Sequence, residues 1–179
     1  MEFAFVAGNL ALDFVATVAA RDTVAKEWLP TAADLADWLA RSGAVSRPPQ
    51  VSAEEFGRAI ALRETIYPAL RERVAGHPVD AAALAAINAA AAESTPVPVL
   101  ADGNLATHGS ATAAMALVAR AAQAALTDPR LRFCAGDDCT RPFIDASRGG
   151  TRRWCGMAGC GDRAKAAAYR RRSSANKGR

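Results

Sequence analysis

Four cysteines stand in two equally spaced pairs, Cys134-Ala-Gly-Asp-Asp-Cys139 and Cys155-Gly-Met-Ala-Gly-Cys160, with fifteen residues between them. Each pair has room for a glycine-containing knuckle that turns two sulfurs toward one ion, and four thiolates close a tetrahedral shell. A closed shell leaves no position for water. The spacing therefore predicts one structural Zn²⁺ held by Cys134, Cys139, Cys155 and Cys160, and not a catalytic metal. In a reducing compartment such clusters are metal ligands rather than disulfides. A cytoplasmic protein is the expectation. The start MEFAFVAGNLALDF has no basic leader and carries Glu2 and Asp13, a poor secretory signal. Charge also interrupts the alanine-rich stretches before they reach the roughly 20 apolar residues of a membrane span.

The residues around the cysteines predict how the ligands are presented. Arg141 to Ser147 reads as a strand, Arg148-Gly149-Gly150 as a turn and Thr151 to Cys155 as the return strand. Phe143 and Trp154 are placed to cover a miniature core beside the metal, with base stacking as the alternative role. After Cys160, Asp162 caps a helix-forming run from Arg163 through Arg172. A knuckle, a hairpin and a basic helix carrying the second ligand pair make a treble-clef arrangement.

Charge is divided unevenly. Residues 1–129 hold 9 basic and 14 acidic side chains, net −5, whereas residues 130–179 hold 13 basic and 4 acidic ones, net +9. A cationic module beside an acidic body favours a polyanionic partner. Arg141, Arg148, Arg152, Arg153, Arg163, Lys165, Arg170, Arg171 and Arg172 are the candidate nucleic-acid contacts, since arginine suits phosphate and guanine edges. DNA ranks ahead of RNA, and a protein-docking module with a purely structural zinc is the third reading. An enzyme is not expected. His77 and His108 both read as loop residues, and Asp137 and Asp138 as residues that orient the first knuckle.

The body that must carry this module, residues 1–129, reads as several helices and one hairpin, giving a mainly α protein. Leu10 to Ala20 predicts a buried helix around Asp13. Thr31 and Asp34 predict the N-cap and third position of a helix that stops at Gly43. Ser52 and Glu55 form a capping box, followed by a stripe of Phe56, Ile60, Tyr67, Leu70 and Val74, with a kink expected at Pro68. Arg63 lies on that stripe and either snorkels or pairs with Asp13. Asp80 caps a further helix through Leu84 and Ile87. Asp102-Gly103 marks a hairpin turn, with Pro98 on an edge strand. Met115 to Leu126 gives the last helix of the body.

Phe143-Ile-Asp-Ala-Ser-Arg148, Arg152-Arg-Trp-Cys155 and Cys160-Gly-Asp-Arg-Ala-Lys165 resemble the CGNR zinc finger family. Asp162 stands where the family name has asparagine, and Gly156 where serine is common. Gly8-Asn9-Leu-Ala-Leu-Asp13 and Leu62-Arg63-Glu64 are similar to the ABATE domain that accompanies this finger. The resemblance implies a DNA-binding transcription regulator, with a helical domain at residues 1–129 and a zinc finger at 130–179. It leaves open a small-molecule effector or a homodimer formed through the helical domain.

Overall fold

The computed structural model describes residues 3–177. Helix α1 (Leu10–Val15) starts at Asn9, whose Oδ1 accepts from the amides of Ala11 and Leu12 at 2.9 and 3.3 Å. The expected helix through Ala20 stops short at Val15. The Thr17 hydroxyl donates to the Phe14 carbonyl at 2.6 Å, and Ala20 takes a positive φ of 51°. This local bonding offers the backbone an alternative to another helical turn. The chain then forms β1 (Val18–Ala19), which pairs antiparallel with β2 (Lys26–Glu27).

Helices α2 (Ala32–Arg41) and α3 (Ala53–Ala75) begin at complete capping boxes, Thr31 with Asp34 and Ser52 with Glu55. Pro68 lies inside α3 without ending it. The buried stripe of α3 is Ala59, Leu62, Arg63, Ile66, Ala69 and Leu70. It is displaced from the expected one: Phe56, Ile60 and Tyr67 flank it half-buried, and Val74 is exposed. The displacement puts the small Ala59 and Ala69 in the core that α3 shares with α1 and with the two helices that follow it, where small side chains permit close helix packing.

Helix α4 (Ala81–Ala92) is capped by Asp80 and leads to the hairpin β3 (Val97–Ala101) and β4 (Asn104–His108). Asp102 and Gly103 turn it with φ of 50° and 74°, the two left-handed residues that a two-residue hairpin needs. Helix α5 (Ala111–Thr127) is central. Ala114, Val118, Ala119, Ala122 and Ala125 are buried on it, and it packs on α1, α3 and α4.

Beyond α5 the chain forms β5 (Leu131–Phe133), β6 (Pro142–Ile144), a distorted turn at Met157–Gly161 and α6 (Asp162–Lys177). The expected hairpin between 141–147 and 151–155 is absent. Instead β6 pairs with β5 across the first cysteine pair, Leu131 opposite Ile144 and Phe133 opposite Pro142. The return segment is diverted by Asp145, whose carboxylate accepts from the Ser147 amide at 2.9 Å, the Ser147 hydroxyl at 2.6 Å and the Arg152 amide at 3.0 Å. Those bonds fold residues 145–152 into a loop. The Ser147 hydroxyl and amide, then the Arg152 amide, hold the Asp145 carboxyl below its ordinary range.

The metal module is not a loose satellite. Leu131, Phe143, Ile144, Cys134, Cys155 and Cys160 join the same hydrophobic cluster as the helices. Each large apolar side chain so buried contributes about 1.5–3 kcal/mol. The Ile144 amide also donates to the Ala7 carbonyl at 2.8 Å. That carbonyl is positioned by Asp13, whose Oδ1 accepts from the Val6 and Ala7 amides, each at 3.0 Å.

Candidate metal centre and nucleic-acid interface

The four sulfurs converge as the spacing predicts. All lie within 4.8 Å of one another. Cys139 Sγ is 3.8 Å from Cys155 Sγ, which is 3.9 Å from Cys160 Sγ. A tetrahedral zinc with Zn–S bonds of about 2.3 Å sets its sulfurs about 3.8 Å apart, so the donor set fits that ion. Crowding makes the case independently. The hydrogen bond from Cys155 lowers the Cys139 thiol to about 5. Cys155 is pushed up by giving that hydrogen bond, by burial and by neighbouring thiolate charge; Cys160 is pushed up first by burial. Four thiolates coexist here only around a cation. The ion is structural: zinc supplies cross-linking of the two knuckles, and the four sulfurs complete its coordination.

The chain's own groups support those sulfurs. The Cys155 amide donates to Cys134 Sγ at 3.3 Å, and Arg163 Nη2 donates to Cys160 Sγ at 3.1 Å. The Ala135 amide donates to the Arg153 carbonyl at 2.8 Å and ties the first knuckle to the return segment. Gly136 leaves room for the second pair, since a Cβ there would stand 3.2 Å from Cys160 Sγ.

The predicted cations separate into groups. Arg141, Arg153, Arg163, Lys165 and Arg170 line one groove of about 1070 Å³ between α6, the first knuckle and residues 16–20 of the body. Trp154 and Cys155 lie in its wall, with Asp137 and Asp138 at the knuckle end. Arg148 is exposed on the loop away from the groove. Arg152 turns inward: its guanidinium donates to the carbonyls of Trp154 at 2.9 Å, Val6 at 3.2 Å and Cys155, and stacks 4.5 Å from the centre of the Phe143 ring. Its geometry is that of a brace between module and body. The side chains of Arg171 and Arg172 lie outside the described residues. Phe143 is fully buried, while Trp154 is half-buried with Arg153 stacked 5.4 Å from its ring centre.

Neither reading of Arg63 holds: the side chain is buried rather than snorkelling to solvent, and it does not pair with Asp13. Arg63, 2% exposed, makes a two-pronged pair with Glu27, at 2.8 Å through Nη1 and 2.5 Å through Nη2. It also bonds to Thr17 at 3.0 Å and to Glu64 at 2.9 Å. Burial raises the Asp13 carboxyl; the Ala7 and Val6 amides and the charge of Arg141 act against that rise. The arginine that acts on Asp13 thus belongs to the metal module. The reason is the short α1: once the chain turns at Thr17, Glu27 on β2 reaches Arg63 first.

Several important groups were not singled out from the sequence. Asp145 organises the loop, and its Asp-x-Ser pattern is the signal that could have marked it. Arg21 bonds Glu64 at 2.6 Å, stacks 4.2 Å from the Tyr67 ring centre, and its amide donates to Thr140 at 3.2 Å, again linking body to module. His77 and His108 are exposed, at the end of α3 and at the end of β4.

Comparison with known proteins places these features. Residues 8–129 match the ABATE family, described as "Putative stress-induced transcription regulator", and residues 130–173 match the CGNR zinc finger. No curated protein matches the chain significantly. By the match across its helical body, and by the finger that follows it, the chain belongs to the ABATE family and carries a CGNR zinc finger.

Proposed function

We propose that this chain is a DNA-binding transcriptional regulator whose zinc module contacts the nucleic acid. One observation carries the reading: Arg141, Arg153, Arg163, Lys165 and Arg170 converge on a single groove of the metal module, in a chain whose first 129 residues are net acidic. Cations gathered in one groove hold the phosphates of a polyanion and release its counterions. The acidic body turns non-specific anions away from its own surface and so directs them to the module. DNA is favoured over RNA by the regulatory description of the family.

The helical body is the sensing or assembly part. A second cavity of about 420 Å³ lies between residues 45–49 and the face of the β3–β4 hairpin, large enough for a small effector. A catalytic role is not part of this reading, since four sulfurs leave the metal no open position. The cytoplasm, where the thiols stay reduced, is the compartment proposed. Among the described residues no helix is long and apolar enough to cross a membrane.

The test is binding of the intact chain to labelled DNA and RNA, zinc-loaded and after zinc removal by a chelator. Zinc-dependent binding with DNA preferred supports the proposal. Equal binding after zinc removal, or RNA preferred tenfold or more, overturns it.

A further inference from the structure

We infer that the groove is built for a single strand and not for the major groove of a duplex; the inference rests on the nucleic-acid reading above and names its substrate class. A helix that reads duplex DNA must enter a major groove about 12 Å wide with its sides unobstructed. Helix α6 does not offer its basic side in that way. Arg163, Lys165 and Arg170, all exposed, share one half-open groove with the body at Ala16 and Val18–Ala20, so a duplex approaching that side of the helix meets the body as well.

A flexible chain of nucleotides can thread where a duplex cannot. Arg163 and Arg170 are seven residues apart, about 10 Å along the helix axis, the span of about three stacked nucleotides. The helix wall between them is alanine at 164 and 166–168, which admits bases close to the backbone. Trp154 supplies the remaining element. It lines the same groove half-buried, with the Arg153 guanidinium stacked over its ring, so a base that takes that ring face displaces the arginine toward its own phosphate. A basic channel with an aromatic platform is how sequence-tolerant single-strand binders work. Asp137 and Asp138 close the knuckle end, which directs the strand along α6 toward Arg170.

The experiment uses the zinc-loaded full chain and a labelled mixed-sequence 12-mer, as single-stranded DNA, as single-stranded RNA and as a hairpin duplex of the same sequence. Anisotropy gives affinity and tryptophan emission reports stacking; zinc content of one ion per chain confirms that each variant is intact. The expected result is binding to single strands at least tenfold tighter than to the duplex. Trp154→Ala should lose about tenfold, the effect of one missing base stack, and Trp154→Phe should retain affinity while losing most of the emission change. Duplex binding as tight as single-strand binding, or unchanged affinity in Trp154→Ala, overturns this inference and leaves the nucleic-acid reading standing. Absence of binding to all three overturns both.

Discussion

Replacing Gly136 by alanine tests the geometry of the metal centre with one carbon atom. The new Cβ would stand 3.2 Å from Cys160 Sγ, 3.3 Å from Cys160 Cβ and 3.5 Å from Cys134 Sγ. Comfortable contacts of this kind need about 3.5–4.0 Å, so Cys160 must give by a few tenths of an ångström. Metal–ligand distances tolerate only about 0.2 Å. Cys160 has little freedom to yield, because Arg163 holds its sulfur and α6 begins two residues later. Overpacking of this degree costs about 1–3 kcal/mol, which weakens zinc binding by about 5- to 150-fold. Gly149→Ala is the matched control, since its Cβ meets only Thr151, at 3.7 Å. Competition against a chromophoric chelator measures both. A Gly136→Ala chain that holds zinc within twofold of the parent would refute the argument that Cys160 is packed against that position.

Three further outcomes follow from the body and its junction with the module. A double-mutant cycle on Arg63 and Glu27 should give a coupling of about 1–3 kcal/mol, below the range for fully buried pairs because a third of the Glu27 side chain is exposed. The same cycle on Arg63 and Asp13 should give none, and coupling there would contradict the assigned pairing. Glu55 is held below its ordinary value of 4.5 by the Ser52 amide and hydroxyl and then by the Thr112 hydroxyl. Its contribution to stability is therefore fully present above the ordinary value of 4.5 and is lost as pH falls through the lowered one. Glu55→Gln should therefore flatten the acid limb of a stability–pH curve, and an unchanged limb would count against the capping box. Stripping zinc should lower the melting temperature in a single shifted transition, because Leu131, Phe143 and Ile144 share the core of the helices. Two separate transitions by calorimetry would show that the module and the body fold independently.

What could be read in the sequence was what local chemistry determines. The cysteine spacing announced the ligand set, and the Ser52–Glu55 and Thr31–Asp34 boxes announced helix starts, since those signals act within four residues. Asp102-Gly103 announced its turn for the same reason. The errors arose where a distant partner decided. Nothing near Arg63 reveals that Glu27 arrives beside it, because that depends on the chain turning at Thr17. The β5–β6 pairing was missed because residues 151–155 look as strand-like as 131–133, and only the hydrogen bonds to Asp145 decide against them. Arginines look alike in a sequence, so Arg152 facing inward and Arg153 facing the groove could not be told apart there.

The measurement that bears most directly on the central claim is the salt dependence of nucleic-acid binding by the zinc-loaded chain, compared with Arg153→Ala/Lys165→Ala. Neither residue holds a ligand sulfur, so the metal centre should stay intact. If all five groove cations reach a phosphate, log K should fall against log salt with a slope of about −3.5 to −4.5, and the double variant should be shallower by about 1.4–1.8. A slope near zero, or one that the double variant leaves unchanged, would contradict the assignment of this groove as the nucleic-acid interface.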